Sequence, residues 1–450
     1  MRKRLLLLPC TVLISLLNLN AQTSSSKDTK PETLPPKPTL FGIHFSGYIK
    51  SDILLDTRQT VGLRDGQFLL YPEPVNPDAE GKDINASGNF NILNIQTRLT
   101  GIITGPDALG AKTSGMIEAE FFGNSNPNIN TFRLRHAFVK LNWSATELLV
   151  GQTWHPMFSP NCFPNTVSFN TGAMFAVFSR NPQVRITQDF GKFSMSLSVL
   201  SQLDFTSTGP DGVNTKYLRN SIIPELDLQV QYLKKYGNSG NEFLLGAGID
   251  YLALTPRLTS NVIITKALDT VINNVVVHQN ATTMSYKINT QITAFSYNFM
   301  AKLKLPTITF KIGAYYGENS YGFTLLGGYA VKTIIDPVKG FVEYANIRTM
   351  TVWGEFSTNG RIWQTGIFGG YSRNLGAGEV LSGPYYSRGS DIDYLYRISP
   401  RLVCNINKVR FAAELEYTAA AYGKTNEKGY VYNAKEVANL RLLLGVYYFF

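Results

Sequence analysis

The amino-acid sequence predicts an all-β protein whose strands close into a transmembrane, antiparallel β-barrel. Charged residues make up only 16% of the 450 residues, whereas soluble domains carry roughly 25%. Aromatic residues reach 12% while the mean hydropathy is only −0.06, which argues against a helical transporter and against a disordered chain. Strands with one face in lipid and the other in water have this composition, because only half of their side chains are apolar.

The N-terminal segment has the pattern of a secretory signal peptide over residues 1–21. Three basic residues open the chain, and an apolar stretch follows over residues 5–17. That stretch is too short to span a bilayer of about 30 Å, so we expect cleavage rather than anchoring. Residues 22–40 are polar and proline-rich, which predicts a flexible periplasmic lead-in. We expect the barrel to occupy residues 41–450.

From residue 41 onward, apolar and polar residues alternate with the period of two that a half-buried strand requires. Residues 193–200 alternate apolar side chains with serines, and only Gly191 and Lys192 separate them from the preceding run. Such a short connection predicts a tight hairpin. Sixteen strands can be threaded in this way, over residues 41–57, 88–104, 112–123, 131–142, 146–153, 183–190, 192–203, 225–234, 242–254, 285–304, 307–316, 346–357, 361–371, 392–404, 408–419 and 437–450.

The connections between these strands are short on one side and mostly long on the other, as in outer-membrane barrels. This alternation fixes the count at sixteen, with eighteen as the alternative, and brings both termini to the short-turn, periplasmic side. Counting residues 321–331 as a strand pair would break the alternation, so we place them in a loop. A soluble β-sandwich or a secreted β-repeat protein is the other architecture, but no repeat of 20–50 residues is present.

The inward parity of the strands carries the polar and charged residues that would line a water-filled lumen. Charged side chains on the lipid face would cost roughly 2–4 kcal/mol near the membrane centre, so this parity has physical meaning. The side chains that we expect to line the pore or bind solute are Arg98, Arg133, Arg135, Arg185, Asp52 and Asp189. The arginines would favour anions, unless carboxylates such as Asp52 and Asp189 neutralise them.

One connection, residues 154–182, is aromatic and apolar, unlike the other long loops. An exposed loop of this kind would be an aggregation hazard, so we expect it to fold into the barrel and narrow the pore. A contact between subunits or with a partner is the alternative. The residues expected at this constriction are Phe158, Phe163, Phe169, Phe175 and Arg180.

Three short passages resemble DcaP-like trimeric outer-membrane porins. They are GYIKSD from Gly47, FRLRHAF from Phe132 and GQTW from Gly151. The resemblance implies a sixteen-stranded homotrimer that passes small, often anionic, organic solutes. It also implies a basic pore wall, to which Arg98, Arg133 and Arg135 would correspond.

The final strand alternates apolar residues and ends on an aromatic residue, Phe450, with Tyr448 two positions earlier. A terminal strand of this form resembles the assembly signal of outer-membrane proteins. The resemblance implies that Tyr448 and Phe450 engage the barrel-assembly machinery and that the mature chain lies in outer-membrane lipid.

The sequence contains no motif for catalysis, for a cofactor or for nucleic-acid binding. Its four histidines form neither an i, i+4 pair nor an HExxH motif, so we expect no metal site and no enzyme. We therefore expect a passive porin in the outer membrane of a Gram-negative bacterium. The alternative is a surface receptor or adhesin on a barrel anchor, because the loops 58–87, 255–284 and 317–345 are long.

Overall fold

A computed structural model describes the chain over residues 42–237, 240–265, 268–272, 275–279 and 282–450. The predicted signal peptide and lead-in, residues 1–21 and 22–40, lie outside the described residues.

Sixteen antiparallel strands form a closed barrel, as the sequence predicts. Each strand pairs with its neighbours in chain order, and the last strand pairs with the first, from Tyr48 opposite Phe449 to Asp56 opposite Arg441. The barrel strands are β1 (Gly42–Asp56), β2 (Asn89–Leu93 and Arg98–Thr104), β3 (Lys112–Glu120), β4 (Arg133–Asn142), β5 (Thr146–Trp154), β6 (Arg180–Phe190), β7 (Phe193–Leu200), β8 (Glu225–Tyr236), β9 (Asn241–Leu254), β10 (Ile292–Lys304), β11 (Ile308–Glu318), β12 (Phe341–Thr358), β13 (Trp363–Asn374), β14 (Ile392–Ile406), β15 (Val409–Thr425) and β16 (Val431–Phe449).

The period of two in the sequence separates an apolar outer face from a polar inner face. On β7, Phe193 and Leu197 are about half exposed on the outside, whereas Ser198 is fully buried on the inside. On β1, the inward Lys50 and Asp52 are fully buried. An apolar exterior over a polar interior is what a barrel surrounded by lipid requires, because charges on the lipid face are costly.

Several strand ends differ from the prediction by a few residues, and two of the predicted strands differ in structure. The segment 88–104 is interrupted by a turn over residues 94–97, and this turn buries the apolar Ile95. The tenth barrel strand begins only at Ile292, and the preceding strand Thr282–Lys287 instead pairs with Thr259–Thr265 outside the barrel wall.

The placement of residues 321–331 in a loop is wrong in part. Residues Gly327–Asp336 form a strand that pairs with the first part of β12 and with Tyr385–Arg388. The number of barrel strands stays at sixteen, because this strand extends the sheet within a long connection and is not one of the strands that close the barrel. The alternation of loop lengths therefore predicts the barrel correctly but conceals a strand inside a loop.

The long connections contain the remaining regular structure. The strands outside the barrel are Thr60–Leu63, Phe68–Pro72, Thr259–Thr265, Leu268–Ile272, Val275–Gln279, Thr282–Lys287, Gly327–Asp336 and Tyr385–Arg388. Within the described ranges, the helical structure consists of one α-helical turn, Lys216–Arg219, and the 3-10 turns Asn126–Asn128 and Ser320–Phe323. No helix of the described residues is both long and apolar enough to cross a membrane.

Deleting Phe450 should lower the yield of assembled barrel several-fold. The backbone N–H of Phe450 donates to the Gly47 carbonyl at 3.2 Å, so the deletion removes a contact of the closing strand pair as well as the terminal ring. The measurement is gel electrophoresis of the outer-membrane fraction. It gives the share of the protein that migrates as a compact form before heating and as an unfolded form after heating. Phe411→Ala, which removes another exposed aromatic ring, is the control; equal losses in both would contradict a special role for the terminus.

Candidate solute pathway and inner segment

Residues 155–179, the inner segment, connect β5 to β6 and lie inside the barrel. Their backbone takes its hydrogen-bond partners from charged side chains of the wall. Glu414 accepts from the backbone N–H groups of Val167 at 2.7 Å and Ser168 at 3.2 Å. Two strands further along the same wall, the Lys50 ammonium of β1 donates to the Val167 carbonyl at 2.9 Å. On the other side of the barrel, the Asn298 amide of β10 donates to the Met157 carbonyl at 3.3 Å. The segment therefore extends across the lumen from β10 to β1 and β15.

The aromatic residues of the inner segment pack against each other and against the wall. Phe158, Phe169 and Phe175 are each at most 4% exposed, and Phe163 is half-buried. Phe158 stacks on Trp154 with ring centroids 4.0 Å apart. Burial of these rings inside the barrel removes the exposure that would make such a loop unstable in water.

A second stretch also enters the barrel, and sequence reasoning missed it. In the loop predicted to lie at the surface, the strand Phe68–Pro72 is buried along its whole length. The Phe68 ring lies 5.6 Å from that of Phe169, and the Arg397 guanidinium donates to the Leu70 carbonyl at 2.9 Å. The four consecutive apolar residues 68–71 could have indicated this burial from the sequence, because such a run is unfavourable in an exposed loop.

The predicted arginines Arg98, Arg133 and Arg135 lie together on the inner wall, but each is paired with a carboxylate of β3. Glu120 accepts from Arg98 at 3.0 Å, from Arg133 at 2.8 Å and from Arg135 at 2.7 Å. Glu118 accepts from Arg135 at 2.7 Å. Sequence reasoning missed both glutamates, although their inward parity on β3 was readable. The cluster is thus an ion-pair network rather than a row of free cations.

Arg180 extends this network at the end of the inner segment. Its guanidinium is fully buried, and its Nε donates to Asp204 at 2.8 Å. Arg133 lies 3.2 Å from the other Asp204 oxygen. Burial alone would raise the pKa of the Asp204 carboxyl, but the Arg180 and Arg133 guanidiniums outweigh it and hold that pKa below its ordinary value.

The remaining predicted residues are dispersed. Arg185 donates to the Gln183 side chain and to the Trp154 carbonyl, the latter at 2.9 Å. Asp52 pairs with Lys50 at 3.0 Å and not with an arginine. Asp189 is exposed beside a short turn and has no ion-pair partner within the part of the chain that the structure describes. Asp52 and Asp189 therefore do not neutralise the arginines, which was the alternative from the sequence; other carboxylates do so.

Two cavities of more than 400 Å³ lie beside the inner segment. The arginine cavity, about 450 Å³, has aromatic rings on the inner-segment side, and its charged lining residues are Arg98, Glu118, Arg135, Lys140 and Arg185. The lysine cavity, about 410 Å³, is lined by Lys302, Lys304, Lys311, Arg401 and Arg410. No carboxylate is among the described lining residues of the lysine cavity. Lys302 nevertheless pairs with Glu242, and Lys311 and Arg401 both pair with Glu355. Basic residues therefore outnumber acidic ones in the lining of both cavities, but in the lysine cavity only Lys304 and Arg410 have no ion-pair partner among the described residues.

No family model matches the sequence, and no curated protein matches it. Solved structures do match. The outer-membrane channel DcaP of Acinetobacter baumannii aligns with a TM-score of 0.63 at 15% identity, over 91% of this chain and 97% of that chain. OmpT, an outer-membrane protein of Vibrio cholerae, aligns with a TM-score of 0.51 at 10% identity, over 92% of this chain and 99% of that chain. A trimer form of OmpT aligns equally well, with a TM-score of 0.51.

These likenesses concern the fold, since the identities are low. The closed barrel with an apolar exterior agrees with the predicted location in the outer membrane of a Gram-negative bacterium. The resemblance predicted from the short sequence passages is confirmed at the level of fold: this chain is a sixteen-stranded outer-membrane barrel that is structurally similar to the DcaP channel.

Proposed function

We propose that the chain forms a passive, water-filled channel for small hydrophilic solutes, with a preference for anions. The excess of cationic side chains around the two inner cavities carries this proposal. Barrels of sixteen strands are wide enough to leave an aqueous channel beside an inward-folded loop. No catalytic step is part of this function.

The source of the anion preference differs from the one expected from sequence. Arg133 and Arg135 are nearly fully buried and share their charge with Glu118 and Glu120. Paired charges give a weak field at a distance, whereas unpaired charges in a low-dielectric cleft raise the local concentration of counter-ions. Lys304 and Arg410, the two cations of the lysine cavity without an ion-pair partner among the described residues, therefore contribute more to the preference than the arginine network does.

The inner segment narrows this channel, in our proposal, because it crosses the lumen between opposite walls. In an outer-membrane environment the chain assembles as a homotrimer through the barrel-assembly machinery. The trimer form described for the Vibrio cholerae OmpT supports this arrangement by analogy of fold.

Deleting residues 160–176 should raise the single-channel conductance several-fold, because the segment occupies much of the cross-section. The measurement is conductance of the purified barrel in a planar lipid bilayer. Deletion of residues 76–82, which are exposed in another long connection, is the control and should leave conductance unchanged. Equal conductance of wild type and the 160–176 deletion would contradict a constricting role.

The same recording distinguishes the channel from the alternative, a surface receptor or adhesin on a barrel anchor. A wild-type barrel that conducts steadily supports the channel. A wild-type barrel that stays sealed, together with a conducting 160–176 deletion, would support an anchor that the inner segment closes.

Replacing Lys304 and Arg410 together by glutamine should reduce the anion-over-cation permeability ratio about fivefold at low salt. Neither side chain has an ion-pair partner among the described residues, so the change removes charge without stranding a buried carboxylate. A unit charge about 8 Å from a permeating ion contributes about 0.5 kcal/mol even at the dielectric constant of water.

The measurement is the reversal potential across a potassium chloride gradient. Lys192→Gln removes an exposed cation at another short turn and should leave the ratio unchanged. Cation selectivity of the wild type, or an unchanged ratio in the double variant, would overturn the anion preference or its assignment to the lysine cavity.

A further inference from the structure

A compact cluster of acids with one histidine lies inside the barrel, away from the two cavities. Glu225 and Asp227 point inward from β8, Asp250 points inward from β9, and His155 is the first residue of the inner segment. All four side chains are at most 1% exposed. Asp227 stands directly opposite Asp250 in the pairing of β8 with β9.

This cluster contains more negative charge than its surroundings balance. Like charges directly opposite each other on neighbouring strands are destabilising, and a buried carboxylate needs a partner. Gln229 donates to one oxygen of Asp227 at 2.9 Å. Both oxygens of Glu225, and one oxygen each of Asp227 and Asp250, have no hydrogen-bond partner among the described residues.

Arg185 does not supply the positive charge that the cluster lacks. Arg185 faces Asp227 across β7, where Ser198 stands between them in register. Its Nε and Nη2 groups donate to the Gln183 side chain and the Trp154 carbonyl, and it forms no ion pair with the acids of the cluster in the described residues. The acids are thus left with His155 as their only close basic neighbour within the described chain.

The distances within the cluster suit a shared ion better than a hydrogen bond. His155 Nε2 lies 3.4 Å from Glu225 Oε1 and 3.5 Å from Asp250 Oδ1, and it makes no hydrogen bond. Charge-assisted hydrogen bonds are about 2.7–2.9 Å long. Ligand atoms around a tetrahedral metal with bonds of about 2.0–2.2 Å lie roughly 3.3–3.6 Å apart.

We propose that His155, Glu225, Asp227 and Asp250 bind one divalent transition-metal ion of the zinc type. Candidate ligand atoms of His155, Asp227 and Asp250 lie within 4.8 Å of one another. A nitrogen ligand among carboxylate oxygens favours zinc over calcium or magnesium, which take oxygen ligands almost alone. An ion at this point would supply the positive charge that the buried acids lack.

Binding through Nε2 sets a condition on the histidine. The backbone N–H of Met157 donates to His155 Nδ1 at 3.2 Å, so the neutral ring carries its proton on Nε2. Metal ligation requires the proton to sit on Nδ1 instead, which gives up this one long hydrogen bond. The ion would then tie the start of the inner segment to β8 and β9.

The test uses the full chain, assembled in detergent, stripped of metal and titrated with Zn²⁺ against a chromophoric chelator. The wild type should bind one equivalent, and His155→Gln and Asp250→Asn should each weaken binding at least about tenfold, as loss of a metal-site interaction does. His136→Gln is the matched control, because His136 is also buried beside a glutamate, at 3.7 Å, but in the arginine network. It should bind zinc like the wild type.

X-ray absorption at the zinc edge of the wild type should give nitrogen and oxygen neighbours without sulfur. Absence of zinc binding, unchanged binding in both ligand variants, or a sulfur neighbour from a cysteine would overturn the proposal. Stronger binding of Ca²⁺ than of Zn²⁺ would overturn the choice of metal. Heat-modifiable migration in gel electrophoresis reports whether each variant assembles. If neither ligand variant assembles, the X-ray absorption spectrum of the wild type still tests the proposed ligands. None of these readouts depends on whether the barrel conducts.

Discussion

Pairing between the first and the last strand of the barrel is the constraint on which the rest of the structure depends. In lipid an unpaired strand edge would leave a row of backbone groups without partners, each costing several kcal/mol. The pairing of β1 with β16 removes that edge over nine residue pairs. It also brings Asp56 and Arg441 together, with Arg441 Nη2 at 2.7 Å from Asp56. Closure thus creates the interior and places charges from both ends of the chain within it.

Once closed, the interior must satisfy a large number of buried charges, and it does so in two ways. On β2, β3 and β4, arginines and glutamates alternate across neighbouring strands, as where Glu120 lies opposite both Arg98 and Arg133. Elsewhere the partners are backbone groups of the inner segment, which accept from Lys50 and donate to Glu414. The inner segment therefore supplies hydrogen-bond partners to buried charges of the wall, in addition to filling part of the lumen.

The barrel itself could be predicted from sequence because its main determinant, the period of two, is local. Parity also placed Arg98, Arg133 and Arg135 on one stretch of inner wall. The partners were harder to foresee, because Glu118 lies on the intervening strand and pairing depends on register. Register is a property of two strands, and a single run of alternating residues does not specify it.

The acid cluster shows the limit of sequence reasoning more clearly. His155, Glu225 and Asp250 are far apart along the chain and share no spacing motif. Only the course of the inner segment brings the histidine to β8 and β9. In the same way, the apolar run 68–71 indicates burial, but its place depends on the space left inside a closed barrel, which no local pattern specifies.

The fixation of the inner segment bears on how a solute would cross the barrel. Displacing the segment would leave the buried Glu414 carboxylate without the Val167 and Ser168 N–H groups that donate to it. Leaving one buried charge without its partner costs about 3–5 kcal/mol, so displacement of the whole segment would be too rare to serve as a gate. A solute path beside the segment avoids this cost. The arginine and lysine cavities lie beside the segment, where such a path would run, and basic residues outnumber acidic ones in the lining of both.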